Sequence, residues 1–375
     1  MNTGRILPKG DLNAPPLLPV IAYLLVYFAF WSAIDTAFHQ EPPIDNLEQL
    51  NWALHPALGY SKHPPFPTWL LWIAERIFPA GVTLTYLLGA AQVLLTLVLA
   101  YALGRETLGT YRAWLGTLMI TCISYHTLRM HFFNHNTALL WANAAATLCT
   151  WHAGNAPRLR WWVLLGMSWA VGMLCKYQMA LPIACNLLYL LWTRGITRRL
   201  IVGLAVASTV AAILLSPHIF WLYQNHFPTF SYASEHLATS LSPLQRVDSL
   251  LRFLSSQLLR VVPVIVLAAV LYVLGGRATS VNTRAPAEEP SNQSARRFWT
   301  IHAFGPLGLM SLLALLAGVD LEMHWGTAFL WALPMWFLST DSGRVATRLR
   351  AGHAMIAVGA VQLLLIGGKL LFPHV

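Results

Sequence analysis

Long apolar segments separated by short polar ones follow each other along the whole chain. They lie near 17–37, 81–103, 112–128, 133–151, 161–175, 178–193, 200–223, 248–275, 298–318, 325–340 and 351–371. An α-helix needs about 20 apolar residues to cross a bilayer, and many of these segments approach that length. The pattern predicts an all-α polytopic membrane protein with about 11 transmembrane helices. Because several segments are shorter than a full crossing, we expect some helices to be tilted or broken.

The first polar segment, from Asp35 to Pro65, is long for so apolar a chain. Within it, Leu47, Leu50 and Leu54 recur at helical spacing beside polar residues, which predicts a short amphipathic helix lying in the membrane interface. An aromatic, apolar run through Trp69 and Trp72 follows, and tryptophan favours the same interface. We therefore expect short interfacial helices in and after the first outer loop.

Composition supports a membrane protein and argues against several soluble classes. The chain is 57% hydrophobic and only 10% charged, against about 25% charged residues in an ordinary soluble domain. The four cysteines, Cys122, Cys149, Cys175 and Cys185, all lie in apolar segments, so neither a disulfide framework nor a cysteine zinc site is expected. The formal net charge of +10 is explained by basic loops on one side of the membrane, and no nucleic-acid partner is expected.

The distribution of charge gives an orientation. With the N-terminus in the cytoplasm, most of the 24 lysines and arginines fall in inner loops, as the positive-inside rule requires. The compact loops favour a bacterial inner (plasma) membrane. No internal repeat and no soluble domain is apparent, so residues 1–375 are predicted to form a single transmembrane domain.

Histidines, acids and isolated lysines concentrate on the outer face. The first outer loop ends in Gly59-Tyr60-Ser61-Lys62-His63-Pro64-Pro65, whose two prolines fix the chain direction behind the Lys-His pair. Lys176-Tyr177 occupies a very short outer turn, and His324-Trp325 lies in the last outer loop. A lysine at membrane depth is costly and usually functional. A further cluster, from His126 to Asn136, would suit a metal, although histidines are also common in interface loops.

These motifs resemble those of the polyprenyl-phosphate-sugar glycosyltransferases of the GT-C fold, a group that includes protein O-mannosyltransferases and lipid A aminoarabinose transferases. The resemblance rests on an acidic residue after the first span, Asp45, and on Tyr60-x-Lys62-His63-Pro64-Pro65-x-x-x-Trp69-Leu70. It also rests on the Lys176-Tyr177 and His324-Trp325 pairs.

The resemblance implies an inverting transfer of a sugar from a polyprenyl-phosphate donor to a glycan, lipid or protein acceptor on the extracytoplasmic face. Asp45 would be the catalytic base that takes the acceptor's proton. Lys62, His63 and Lys176 would stabilise the departing phosphate, with Tyr60, Tyr177, His324 and Trp325 completing the substrate site. Membrane lipids are the other expected partners, and Glu235 and Glu322 are alternative bases.

Two departures from the family pattern bear on metal use. Many relatives have an acid just before the basic residue of the Pro-Pro motif, where this chain has Lys62. They also often have an aspartate early in the fourth span, where this chain has Asn136. In the aminoarabinose transferases these two acids are thought to bind a divalent metal, so no cofactor is assigned from the sequence.

Two other functions stay open at this stage. A transporter or flippase of a lipid-linked sugar would explain the number of helices and the lysine at membrane depth. It would not explain why polar groups concentrate on one face, and it should show internal pseudo-symmetry. A non-catalytic partner subunit that retains the fold is the weaker alternative.

Overall fold

The computed structural model describes residues 17–39, 41–156, 158–231, 241–278 and 293–371. Within these ranges the chain is helical and contains no strand. The helices in chain order are α1 (Leu17–Phe38), α2 (Ile44–Ala53), α3 (Phe66–Ala74), α4 (Val82–Thr107), α5 (Thr110–Ile120), α6 (Ser124–Leu128), α7 (His135–Asn155), α8 (Leu159–Cys175), α9 (Ala180–Arg194), α10 (Arg198–Gln224), α11 (Pro243–Ala278), α12 (Gln293–Ala317), α13 (Ala332–Ser339), α14 (Asp341–Ala346) and α15 (Ala351–Leu371).

Six of these helices, α1, α4, α10, α11, α12 and α15, are long and apolar enough to cross a bilayer. Their outward faces carry large exposed apolar side chains such as Leu25, Ile213 and Leu363, which only lipid can cover favourably. The chain is therefore an integral membrane protein, as the hydropathy pattern predicts. The residue bounds of α7, α8 and α9 nearly coincide with three further predicted spans, 133–151, 161–175 and 178–193. The total of 11 transmembrane helices stays a prediction.

Two predicted spans are broken. The segment 112–128 forms α5 and α6, separated by a turn in which the Thr127 hydroxyl donates to the Thr121 carbonyl at 2.6 Å. The segment 325–340 begins with a 3₁₀ turn, Thr327–Phe329, before α13. In each break, threonine side chains bond carbonyl groups that a continuous helix would have used, as in Thr327 to His324 O at 2.8 Å.

The centre of the bundle is a row of helices in which α10 packs on α8, α8 on α7, α7 on α4 and α4 on α5. Small residues allow the closest approach. A Cβ atom on Gly166 of α8 would lie 2.3 Å from the Ala207 carbonyl oxygen of α10, and one on Gly203 would lie 2.2 Å from the Trp162 ring. Small residues at helix crossings are a common means of packing in membranes.

The interfacial helices lie over a separate small apolar cluster formed by Ala53, Leu71, Ala74, Leu84 and Phe133. The predicted amphipathic helix is present as α2, and its buried face carries the polar Asn46 and Gln49 beside Ala53. Asn46 and Gln49 are fully buried against the protein, whereas Ile44, Leu47 and Leu54 are exposed. An interfacial helix can turn its apolar side outwards because lipid, not water, covers that side.

The C-terminal ends of α1 and α15 meet. The Lys369 ammonium of α15 lies 3.3 Å from the Asp35 carboxylate of α1, and the Trp31 indole donates to Gln362 at 3.1 Å. The two helices therefore run in the same direction. If both cross the membrane, the total number of crossings, counting these two helices, must be odd. That arrangement agrees with the predicted count.

Candidate active site

Asp45, the predicted base, lies in the first turn of α2 and faces the start of α7. Its carboxylate accepts a hydrogen bond of 2.8 Å from the Asn134 side-chain amide. Asn134 is also the N-cap of α7, where its carboxamide oxygen accepts from the backbone N–H groups of Asn136 and Thr137. Because the cap fixes the oxygen, the NH₂ group has a fixed direction toward Asp45. Asp45 remains partly exposed, as a group that must meet a substrate requires.

The first-loop motif is folded around a stacked aromatic pair. The ring of Tyr60 lies 4.5 Å from that of Trp52 with an interplanar angle of 6°. The Tyr60 backbone N–H donates to the His63 carbonyl at 3.3 Å, which closes the turn containing Lys62. The structure thus gives Tyr60 a clear role in shaping this loop, and its predicted substrate contact stays a prediction.

Lys62 is engaged by Glu48, another residue of the first outer loop. Its ammonium donates to both oxygens of Glu48 at 3.2 and 3.3 Å. Burial raises the pKa of Glu48 above its usual range, and the charge of Lys62 opposes that rise. A phosphate contact by Lys62 would therefore have to compete with Glu48.

His63 lies deeper than Lys62, with its ring 4.1 Å from the ring of His135. Burial, reinforced by the neighbouring His135, Lys176 and Lys62, holds the pKa of His63 far below its usual range. His63 is therefore neutral at physiological pH. It can donate or accept a hydrogen bond but does not supply the positive charge expected of it from the sequence.

Lys176 lies at the C-terminal end of α8, in the turn that leads into α9. Its ammonium donates to the Asn136 carboxamide oxygen at 2.7 Å and lies 5.8 Å from the centre of the Trp325 ring. Burial lowers the pKa of Lys176 to about 7, against the opposing influence of Asp45 and Glu322. Lys176 thus shares one electrostatic environment with the predicted base.

His324 and Trp325 come from the last outer loop to the same place. Burial, and then the charge of Lys176, lowers the pKa of His324 to about 4, while Asp45 acts in the opposite direction. His324 is therefore a neutral imidazole beside charged groups. The structure brings Asp45, Lys176 and the His324-Trp325 pair together from three separate segments.

Tyr177 is bonded elsewhere. Its hydroxyl forms a 2.7 Å hydrogen bond with His218 Nε2, and His218 Nδ1 lies 2.7 Å from the Leu58 carbonyl. Its ring stacks on Phe230 at 5.4 Å. Tyr177 therefore ties α10 to the first loop, and its substrate role stays a prediction. Of the alternative bases, Glu322 is exposed beside the site, and Glu235 lies outside the described residues.

Two arginines complete the charge of the site. The guanidinium groups of Arg129 and Arg260 lie 5.7 and 5.3 Å from the ring of Tyr125. Within the described ranges, no carboxylate lies within 4.0 Å of either guanidinium or of the Lys176 ammonium. A narrow cavity lined by Tyr125, Arg129, Asn136 and Thr327 lies between Arg129 and Asn136, the partner of Lys176. Unpaired, half-buried cations of this kind suit an anionic ligand.

Comparison with known proteins assigns the fold. Residues 62–221 match the family model described as dolichyl-phosphate-mannose-protein mannosyltransferase. Over 92% of its length the chain also superimposes on 63% of ArnT from Cupriavidus metallidurans bound to undecaprenyl phosphate, with a TM-score of 0.63 and 18% identity. The chain has the GT-C fold. The resemblance to polyprenyl-phosphate-sugar glycosyltransferases predicted from the first-loop motif is thereby confirmed.

Curated relatives extend the comparison within the GT-C proteins. The chain is 27% identical over 340 residues to the lipopolysaccharide core galacturonosyltransferase RgtA of Rhizobium johnstonii, covering 84% of this chain and 63% of that protein. It is 26% identical over 207 residues to the undecaprenyl phosphate-α-4-amino-4-deoxy-L-arabinose arabinosyl transferase of Pseudomonas savastanoi, covering 52% and 38%. The chain thus spans less than two thirds of the length of the curated relatives it matches.

The positions at which GT-C relatives often place metal-binding acids do not fit a divalent cation here. Lys62 is paired with Glu48, and the oxygen of Asn136 already accepts from the Lys176 ammonium. A lysine ammonium occupies each position where a cation would bind. Lys62 and Asn136 are therefore each engaged in a contact that involves a lysine ammonium group.

Neither Arg260 nor Arg129 was among the site residues predicted from the sequence. Arg129 lies within the predicted cluster from His126 to Asn136, and Arg260 lies inside the apolar segment 248–275. A charge within a span is a sign of function, so the sequence did contain the signal for Arg260. The Asn134–Asp45 contact joins residues 89 positions apart and had no such signal.

Proposed function

We propose that this protein transfers a sugar, with inversion, from a polyprenyl-phosphate-linked donor to an acceptor hydroxyl or amine on the extracytoplasmic face of a bacterial inner membrane. One observation carries the proposal. The partly exposed carboxylate of Asp45 lies in the same site as three cations, Lys176, Arg129 and Arg260, and within the described ranges no carboxylate lies within 4.0 Å of any of them. The names of the relatives, two of which act on lipopolysaccharide core or on undecaprenyl-phosphate-linked sugar, support it.

In the proposed reaction, Asp45 accepts the proton of the acceptor group as that group attacks the anomeric carbon. The new bond forms on the face opposite the phosphate, and the bond between the anomeric carbon and the phosphate oxygen breaks. The electron pair leaves with the polyprenyl phosphate. Asn134 acts as a positioning residue by holding the carboxylate in one direction.

The departing phosphate gains negative charge, so its stabilisation is the main electrostatic requirement of the reaction. Lys176, Arg129 and Arg260 are the groups proposed to meet it. His63 and His324, being neutral, would contribute hydrogen bonds. The lipid chain would lie between the apolar helices, because interfacial cations bind a phosphate at the depth of the headgroups.

The N-terminus is proposed to be cytoplasmic and Asp45 to face the extracytoplasmic side. An acceptor in the cell envelope, whether glycan, lipid or protein, would approach from that side over α2 and α3. The described residues are proposed to form one catalytic domain.

The test is turnover by the purified protein with a panel of undecaprenyl-phosphate-linked sugars and envelope acceptors. Asp45→Asn should lower turnover by at least about 100-fold, since loss of a general base typically costs that much or more, with undecaprenyl phosphate binding retained. Asp248→Asn is the matched control, because Asp248 is an exposed acid that pairs with Arg252. Equal turnover in wild type and Asp45→Asn would assign the base elsewhere, with Glu322 the next candidate.

A further inference from the structure

A second cluster of ionisable side chains lies where the ends of α1 and α15 meet. Asp35 is 1% exposed and His131 and Lys369 are each 2% exposed. His131 Nδ1 lies 3.1 Å and His39 Nδ1 lies 3.7 Å from the same oxygen of Asp35. The two imidazole rings are tilted by 31° to each other, with their centres 3.9 Å apart.

An ion pair between Lys369 and Asp35 does not account for the whole cluster. The Lys369 ammonium lies 3.3 Å from the carboxylate and donates to the Leu128 carbonyl at 2.6 Å, so it has another acceptor. Both imidazole Nδ1 atoms are buried, yet neither makes a hydrogen bond of good geometry, and the same holds for the Asp35 oxygens. Buried polar atoms without good hydrogen bonds are rare and often belong to a ligand site.

We propose that Asp35, His39 and His131 bind a divalent first-row metal ion, for which Zn²⁺ is the best match. Their ligand atoms all lie within 4.8 Å of one another. Ligand atoms around a tetrahedral zinc ion, at about 2.0–2.1 Å from the metal, are separated by about 3.3 Å, and the two nitrogens here lie 3.1 and 3.7 Å from the carboxylate oxygen. Two imidazoles and one carboxylate leave a fourth position open.

Lys369 supplies the positive charge that the carboxylate needs in the metal-free protein. A bound metal would repel the ammonium, which would then keep its bond to the Leu128 carbonyl. Entry is available from the side of His39, whose side chain is 11% exposed while the other members are buried. The proposed site therefore exchanges a lysine for a metal ion at one carboxylate.

A metal at this site would influence the position of Asp45 through hydrogen bonds to the backbone. The Asn46 amide donates to the His131 carbonyl at 2.9 Å, and its oxygen accepts from the Phe133 N–H at 3.0 Å. Asn46 follows Asp45, and Asn134 follows Phe133, so a metal held by His131 would fix both partners of the Asn134–Asp45 hydrogen bond. The site positions the candidate base without contacting substrate, and metal binding there does not depend on the proposed sugar transfer.

The test is zinc binding by the full-length protein, purified in detergent with a tag free of histidine and stripped with a chelator. We expect about one zinc ion per chain in the wild type. His39→Gln and His131→Gln should each weaken binding by at least about tenfold, since even indirect changes around a metal cost that much. His353→Gln is the matched control, because His353 is exposed at the other end of α15 and should bind zinc like the wild type.

Lys369→Met is a second test, because a misfolded protein would not show its expected result, which is tighter zinc binding. Removing the competing ammonium should tighten zinc binding and enlarge the rise in thermal stability on adding zinc. Equal zinc binding in the wild type, His39→Gln and His131→Gln would overturn the proposal. So would the absence of zinc binding in both the wild type and Lys369→Met.

Discussion

At the scale of single residues, the candidate site depends on where protons are held. Asp45 is fixed by a neutral amide, His63 and His324 are kept neutral by burial, and Lys176 has a pKa of about 7. The positive charge of the candidate site therefore comes from Arg129 and Arg260 at any pH. Lys176 adds to that charge only while it is protonated, so its contribution depends on pH.

Donor binding should therefore depend on pH through Lys176. Burial lowers the pKa of Lys176 in the empty site to about 7, and the charge of a bound phosphodiester would raise it. The lysine's contribution is then full below pH 7 and is lost as the pH rises above it, so affinity should fall between pH 7 and 9. A binding titration across this range measures the effect.

Lys176→Arg is the control for that titration, because an arginine stays protonated throughout the range. Its binding should vary little with pH. A wild-type affinity that does not change between pH 6 and 9, or the same decline in Lys176→Arg, would contradict the assignment of Lys176 to the phosphate.

The two roles of Asn134 can be separated by substitution. Asn134→Ser retains an N-cap for α7 but loses the amide that donates to Asp45. We expect kcat to fall by about tenfold, equivalent to about 1.4 kcal/mol, with little change in the unfolding temperature. Asn134→Ala should lose the cap as well and lower the stability by about 1 kcal/mol more. A fall in stability without any change in kcat in Asn134→Ser would show a purely structural role.

At the scale of helices, the hydropathy pattern located the helices. It did not locate the positions where they break, or show which face of an interfacial helix packs against the protein. The helices α4, α7, α10 and α15 begin and end close to the predicted bounds. The breaks at Thr121 and Thr327 were not predictable, because they depend on side-chain hydrogen bonds to particular carbonyls. The buried polar face of α2 was also unpredictable, since a window of sequence does not tell which side of an interfacial helix meets protein.

The crossing of α8 and α10 offers a test of packing. Gly166→Ala places a Cβ atom 2.3 Å from the Ala207 carbonyl oxygen, so the helices must separate, at a cost of about 1–3 kcal/mol. Gly308→Ala in α12 meets no atom within 4 Å and should be neutral or slightly stabilising. Denaturant unfolding in detergent measures both. Equal stability of the two variants would mean that α8 and α10 do not approach each other in this way.

At the scale of the whole molecule, the sequence predicted the fold class, and the site residues it named stay predictions. The motifs at Asp45, Lys176 and His324 come together across the fold, whereas the unpaired arginines and the buried cluster at Asp35 emerge only in three dimensions. The reason is that a contact such as Lys369 to Asp35, between the ends of two distant helices, leaves no local pattern in the sequence.

The proposed orientation predicts which loops can be reached from outside the cell. The native cysteines are all buried, so single introduced cysteines can report their position. His55→Cys, in the exposed segment after α2, should react with a membrane-impermeant maleimide in intact cells. Ile196→Cys, at a site 81% exposed between α9 and α10, should react only after permeabilisation. The reverse pattern of labelling would invert the proposed topology.

The most direct test of the central claim is the fate of the anomeric carbon. Purified protein would be given an undecaprenyl-phosphate sugar labelled with ¹³C at that carbon, together with an envelope acceptor, and followed by nuclear magnetic resonance. The account predicts a product with the opposite anomeric configuration in the wild type and in Asp248→Asn, and almost none in Asp45→Asn. A product that retains the configuration, or movement of intact donor across a reconstituted membrane with no cleavage of its bond to phosphate, would contradict it.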